Sequence, residues 1–157
     1  MGFKDSEMVG RLSENDIIDF YREKGKNPVK IKGKFSGFDI FVHETKSCID
    51  VKRDFKSQYT GNLVVEIELF GKPSGLMVTT ADWWVFDTGE HWIWIKPERI
   101  KDCIIEGEYK AREFIGEGDK DPKTAFLVPE DSIKEYAERI LKRYEPSPES
   151  LPKLEVG

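Results

Sequence analysis

The sequence CIDVKRD, at residues 48–54, places two carboxylates and an amine at alternate positions. It reads as a β-strand, in which successive side chains point to opposite faces. Asp50, Lys52 and Asp54 therefore share one face. That face either is solvated and carries a weak exposed salt bridge, or holds a functional site.

A further carboxylate, Asp39, lies in the preceding run FDIFVHE, with ten residues between it and Asp50. The two runs predict a β-hairpin, in which Asp39 and Asp50 can become cross-strand neighbours with Cβ atoms about 5 Å apart. Two carboxylates and a lysine suit a hard cation such as Mg²⁺, which takes a few carboxylates and completes its shell with water. Such a metal lowers the pKa of bound water and neutralises charge in a phosphoryl transition state. Lys52 would orient or activate the attacking water, or stabilise the phosphate.

These residues carry a resemblance to a known family. FD at 38–39 followed by IDVK at 49–52 resembles the bipartite motif of the PD-(D/E)XK nuclease superfamily. In that motif Asp39 stands for the first acid, Asp50 for the second and Lys52 for the lysine. The chain departs from it in two respects: Phe38 replaces the proline, and the second acid is Asp rather than the commoner Glu.

The surrounding sequence extends the resemblance over roughly residues 35–135. The segments TGNLVVEIELFGKPSGLMVTTADWWVF, WIKPERIKDCI and GEGDKDPKTAFLVP resemble a group of phage and viral proteins in the same superfamily. The resemblance implies a restriction-endonuclease-like fold, a central mixed sheet flanked by helices. It also implies hydrolysis of phosphodiester bonds in DNA, with Mg²⁺ or Mn²⁺ held by Asp39 and Asp50.

Other acidic residues are candidate metal ligands. Glu66 and Glu68 lie on the polar face of the predicted strand NLVVEIELF. If that face continues the Asp50 face, one of them could be a third ligand; otherwise they form a solvated strand face. Glu14 or Asp19, in the first predicted helix, could reach the metal or be ordinary surface charges.

Candidate substrate-binding residues fall in two places. The segment KPSGL offers Lys72, Ser74 and Gly75, and its glycine would permit close approach to a backbone phosphate; the alternative is a tight turn. Arg53 and Lys56 belong to a basic zone described next. The four tryptophans could stack on bases, although we expect at least two of them to pack in the core.

Charge is distributed unevenly along the chain. The net charge of the 157 residues is −5, yet Arg22 to Lys56 contains ten Lys or Arg and five Asp or Glu, a local charge of +5. A local basic zone can bind nucleic acid although the whole protein is acidic. DNA is therefore the expected partner. The overall acidity leaves a second reading open: a non-catalytic protein that keeps the fold and binds nucleic acid or a host protein.

The order of predicted elements favours an α+β fold with a mixed sheet flanked by helices rather than a doubly wound parallel sheet. A first helix is predicted to begin at Ser13 as N-cap, and another to cover EDSIKEYAERILKRYE. Residues 107–124 are predicted to form a loop. Hairpins are predicted for FDIFVHE with SCIDVKRD and for WWVF with HWIWI, and a helix from Pro97.

The chain length predicts one nuclease-like domain, residues 1–145, followed by a Pro-rich, disordered tail at 146–157. Two cysteines are too few for a disulfide framework, and no apolar run is long enough for a membrane span. We therefore expect a cytoplasmic protein, inside the host cell if it is viral. A homodimer is possible, because nucleases that cut both strands often have two-fold symmetry.

Overall fold

The computed structural model describes residues 3–31, 37–115 and 122–143 of the chain. Within these ranges the helices are α1 (Phe3–Glu23), α2 (Ser57–Thr60), α3 (Pro97–Glu106) and α4 (Glu130–Tyr136), with a 3₁₀ turn at Gly75–Met77. The strands are β1 (Pro28–Lys30), β2 (Ile40–Val42), β3 (Ser47–Arg53), β4 (Asn62–Leu69), β5 (Lys72–Pro73), β6 (Trp83–Asp87), β7 (His91–Ile95), β8 (Ala111–Phe114), β9 (Lys123–Pro129) and β10 (Arg139–Lys142).

The strands form two sheets. The first has the order β1-β2-β3-β6-β7-β10. It is mixed, because β3 and β6 pair in parallel while the other neighbours are antiparallel. The predicted α+β class with a mixed sheet and helices is confirmed. The structure also contains a second sheet that was not predicted, because β4 and β9 pair in a separate antiparallel sheet of order β5-β4-β9-β8.

The first sheet is covered on both faces. Helix α1 packs Ile17 and Ile18 against one face, where they join Ile49 and Val85 in a buried cluster. The side chains of Trp84 and Phe86 point from the opposite face into a second cluster, which the second sheet, α3 and α4 complete. Asp50 pairs with Trp84 in register and therefore lies on this inner face, toward the second sheet.

Short-range predictions agree well with the structure. β2 and β3 form the predicted antiparallel hairpin, and so do β6 and β7. Helix α3 begins at Pro97, where the missing N–H costs nothing in the first turn.

The start of the first helix differs from the prediction. Helix α1 begins at Phe3, so Ser13 lies inside the helix rather than at its N-cap. Ser13 is fully buried, and its hydroxyl donates a hydrogen bond to Asp87 Oδ2 at 2.8 Å. A buried carboxylate on the sheet is therefore the partner of this serine.

The predicted helix over residues 130–145 ends at Tyr136. Ala137 is extended, Glu138 N donates to Trp94 O, and β10 then pairs with β7. Residues 139–142 have helical spacing in the sequence, but they form a strand because β7 offers them an edge with which to pair. Residues 144 and 145, and the predicted tail at 146–157, lie outside the described residues.

Two further predictions on the second sheet are corrected. The predicted loop at 107–124 contains β8, and β9 already begins at Lys123. Strict alternation along the predicted strand NLVVEIELF would place Val65, Ile67 and Leu69 on one face of β4. The register between Glu66 and Glu68 is shifted by a bulge, which breaks the alternation, and Leu69 is exposed.

No helix within the described residues is long and apolar enough to cross a membrane.

Candidate active site

Asp39 is fixed at the end of the β2–β3 hairpin by backbone hydrogen bonds. Its own N–H donates to Ile49 O, and the N–H of Val51 donates to Asp39 Oδ2, both at 2.8 Å. Because Ile40 pairs with Ile49, Asp39 comes directly beside the middle of β3. Its carboxylate therefore has a defined position next to Asp50.

Asp50 is almost fully buried and is hydrogen-bonded to Asp39. The pKa of the Asp50 carboxyl is raised to about 7: burial is the main cause, Lys52 lowers the pKa, and the negative charge of Asp39 raises it. Desolvation and like charge thus outweigh the single ammonium group. The Lys52 ammonium therefore does not fully compensate the negative charge of the two carboxylates at neutral pH.

Lys52 is held between a carboxylate and an aromatic ring. Its Nζ lies 3.3 Å from Asp50 Oδ1 and 4.7 Å from the centroid of the Trp84 ring. The Trp84 indole is buried and donates a hydrogen bond to Thr79 Oγ1 at 3.0 Å, which fixes the ring. The Lys52 side chain keeps 35% of its surface exposed, so the ammonium can still reach a ligand.

A cleft of about 410 Å³ begins at Lys52 and lies between the end of β3 and the second sheet. We call it the basic cleft, because its charged lining residues are Lys52, Arg53, Lys56, Lys123, Asp54 and Glu66. Four cations outnumber two carboxylates there. Val64 N donates to Asp54 Oδ2 at 2.8 Å, so one of these carboxylates already has a backbone partner. The cleft can accept an anionic ligand next to the carboxylate pair.

The donor set fits a hard divalent cation in part. Asp39 and Asp50 could supply carboxylate oxygens from two sides. Within residues 3–31, 37–115 and 122–143, no group of three or more His, Cys, Asp or Glu residues is arranged to hold a metal ion. A cation there would complete its shell with water or phosphate oxygens, as Mg²⁺ commonly does.

Glu66 and Glu68 do not extend the Asp50 face. Their strand, β4, belongs to the second sheet, so the condition under which one of them could be a third ligand is not met. Glu66 nevertheless lines the basic cleft, where its Oε1 lies 3.7 Å from Lys123 Nζ. Glu68 lies beyond the bulge and pairs with Thr124 and Pro73.

Glu14 and Asp19 lie on α1, which covers the face of the first sheet opposite to Asp50. Glu14 Oε1 is 3.8 Å from Lys30 Nζ, at the β1 edge. The sheet itself separates this helix from the carboxylate pair.

The segment with Lys72, Ser74 and Gly75 does not line the basic cleft. Lys72 is exposed on β5, and Ser74 N donates to Ile67 O. Gly75 has a φ of +50°, and a Cβ added there would come within 2.2 Å of Glu66 O. Gly75 therefore lies close to the backbone of β4, which agrees with the alternative that this segment is a tight turn.

Lys123 and Phe114 line the basic cleft but were not candidates from sequence. They form a cross-strand pair between β8 and β9. Lys123 precedes the apolar run TAFLVP, and only its pairing with distant β4 brings it to the site. Among the tryptophans, Trp84 and Trp94 are buried, which confirms that at least two pack in the core.

Comparisons of the chain with protein-family models, curated proteins and solved structures found no match. The resemblance to the PD-(D/E)XK superfamily therefore rests on the motif and its surrounding sequence.

Proposed function

We propose that the protein is a metal-dependent DNA nuclease that hydrolyses phosphodiester bonds. The observation that carries the proposal is the contact between the Asp39 and Asp50 carboxyl groups beside Lys52, at the end of the basic cleft. Acid, acid and lysine in this order also form the motif that resembles the PD-(D/E)XK superfamily.

The carboxylate pair is suited to a divalent cation. The raised pKa of Asp50 reflects a buried negative charge that Lys52 does not fully compensate. Mg²⁺ or Mn²⁺ bound there would compensate it, and would supply an activated water and charge neutralisation at the phosphate. Asp39, fixed by the Val51 N–H, would hold its carboxylate toward the same cation.

Lys52 would act on the reacting phosphate or the attacking water. Its ammonium group lies over the Trp84 ring, and the residue lines the basic cleft. A positive charge in a fixed position stabilises negative charge that develops in the transition state.

The basic cleft would hold the DNA backbone. Lys56, at the start of α2, and Lys123, on β9, both line it. This local arrangement allows phosphate binding despite a net charge of −5.

The test is cleavage of labelled DNA in Mg²⁺ or Mn²⁺. We expect Asp50→Asn and Lys52→Met to reduce the rate by roughly 100-fold or more. Asp102→Asn is the matched control: it removes an ion-paired carboxylate on the exposed surface of α3, 2.6 Å from Arg99. That control should cleave at the wild-type rate. Undiminished cleavage by Asp50→Asn would sink the proposal.

A second candidate is a DNA-binding protein without hydrolytic activity. It is favoured by the finding that the described residues hold two, not three, carboxylates at the centre. DNA binding with a steep salt dependence, and no cleavage in any divalent metal, would support it.

A further inference from the structure

The chain that leaves β3 alternates cations and aromatic rings: Arg53, Phe55, Lys56 and Tyr59. Tyr59 is the most exposed large hydrophobic side chain among the described residues, with 90% of its surface accessible. Removing the apolar ring from water would be favourable, yet none of the described residues covers it. A ring presented in this way is available to a ligand.

Helix α2, which carries Tyr59, is firmly attached to the fold. Ser57 Oγ donates to Asp54 O at 2.9 Å, and Gln58 Nε2 donates to Thr88 O at 2.6 Å. Gly61, in the left-handed conformation with a φ of +75°, ends the helix. The exposure of Tyr59 is therefore a property of a fixed turn.

The same turn borders the basic cleft. Tyr59 N donates to the carbonyl of Lys56 at 2.9 Å, and Lys56 lines the cleft. Just before this turn in the sequence, the guanidinium of Arg53 stacks on the Phe55 ring, with its Cζ 3.7 Å from the ring centroid. Cations for phosphates and an open aromatic face for a base thus occur side by side.

Unpaired strands are bound by this combination of groups. A cationic groove follows the backbone, while aromatic side chains stack on successive bases regardless of sequence. In a duplex the bases already stack on one another, so an exposed ring finds no free base face. The ring of Tyr59 would then contribute nothing.

We propose that α2 and the basic cleft together bind single-stranded DNA, with phosphates in the cleft and a base stacked on Tyr59. This deepens the proposed function, on which it rests, because it names an unpaired strand or overhang as the substrate. The polynucleotide would reach Lys52 and the carboxylate pair from the α2 side.

The experiment measures binding of a fluorescently labelled oligonucleotide, single-stranded or annealed to its complement, by anisotropy in EDTA. We expect the single strand to bind more tightly than the duplex. Tyr59→Ala and Tyr59→Leu should weaken single-strand binding roughly fivefold or more, whereas Tyr59→Phe should bind as the wild type does. Ile105→Ala is the control, since Ile105 is a comparably exposed apolar side chain on α3.

Equal or tighter duplex binding, no binding to either oligonucleotide, or unchanged binding by Tyr59→Ala would overturn the proposal. Circular dichroism should show all variants folded, because the mutated side chains are exposed. Because EDTA removes divalent metal, this assay measures binding alone and is independent of the cleavage test. Single-strand binding without cleavage contradicts only the nuclease, and cleavage of duplex that is indifferent to Tyr59 contradicts only the substrate.

Discussion

At the scale of single residues, Asp50 is the most informative side chain of the protein. Three influences set its pKa: burial, the Lys52 ammonium and the Asp39 carboxylate. Burial is the strongest, and Lys52 is the only one that favours the charged form. The spacing of Asp50 and Lys52 along one strand face is visible in the sequence. The contact with Asp39 also follows from the hairpin, because strand register is local. The burial that shifts the pKa is not visible there, since it depends on the second sheet.

Asp50 should make stability depend on pH when divalent cations are absent. The ordinary pKa of 3.8 applies to the unfolded chain, and the folded value is about 7. The folded protein therefore binds this proton more tightly, so the contribution to stability is full below pH 4 and is lost as the pH rises through 7. Asp50→Asn removes this loss.

We expect the variant to gain on the order of 3 kcal/mol over the wild type between pH 4 and pH 8. Urea unfolding in EDTA at several pH values measures it, with Asp102→Asn as a control that should show no such trend. A difference between Asp50→Asn and wild type that stays constant with pH would contradict the assignment.

At the scale of elements, the predictions that hold are those that depend on neighbours in sequence. The two hairpins and α3 are specified by turn residues, alternation and Pro97. The end of α4 is not: Tyr136 to Leu141 has helical spacing, and only the open edge of β7 makes this part of the chain a strand. Lys123 was missed for the same reason, because its place at the cleft comes from the pairing of β9 with β4.

The two glycines that flank β5, Gly71 before it and Gly75 after it, should tolerate substitution unequally. Gly75 and Gly71 both have positive φ, but a Cβ at Gly75 meets the backbone of Glu66, whereas one at Gly71 meets nothing within 4 Å. Gly71→Ala should cost about 1 kcal/mol, the strain of the left-handed conformation alone. Gly75→Ala should cost about 1–3 kcal/mol more, because the turn must also move away from β4.

Chemical denaturation of the two variants gives both values. Equal destabilisation would show that Gly75 has room that the structure does not give it, and would revive the reading of this turn as a phosphate contact.

At the scale of the whole molecule, the two sheets are interleaved along the chain. The chain forms β1 to β3 in the first sheet, passes to β4 and β5 in the second, returns for β6 and β7, passes to β8 and β9, and returns to the first sheet for β10. The residue that follows β10 is anchored, because Arg143 forms ion pairs with both the buried Asp87 and Asp16 on α1. Such pairing over long sequence distances leaves no local signal, and this is why the division of the strands into two sheets was not predicted.

Interleaving predicts one cooperative unfolding transition, as expected for a single domain. All four tryptophans lie in β6 and β7 of the first sheet, so their fluorescence reports on that sheet, while far-ultraviolet circular dichroism reports on both. The two signals should have coincident urea midpoints. Leu63→Ala, fully buried in the second sheet, should lower the tryptophan midpoint through a loss of about 2–5 kcal/mol.

Leu69→Ala provides the comparison within the same strand, since Leu69 is 39% exposed and should matter far less. Separate midpoints for the two signals, or a tryptophan transition indifferent to Leu63→Ala, would mean that the sheets unfold independently.

The interleaved path also orders events during synthesis on the ribosome. Asp39, Asp50 and Lys52 are translated in the first third of the chain, but Lys123, the strand that carries it and the closing strand β10 come last. A growing chain thus contains the groups proposed to cut DNA long before it contains Lys123 and the strand that completes the basic cleft. Premature termination before β9 would leave a polypeptide that carries Asp39, Asp50 and Lys52 but lacks a complete cleft for DNA.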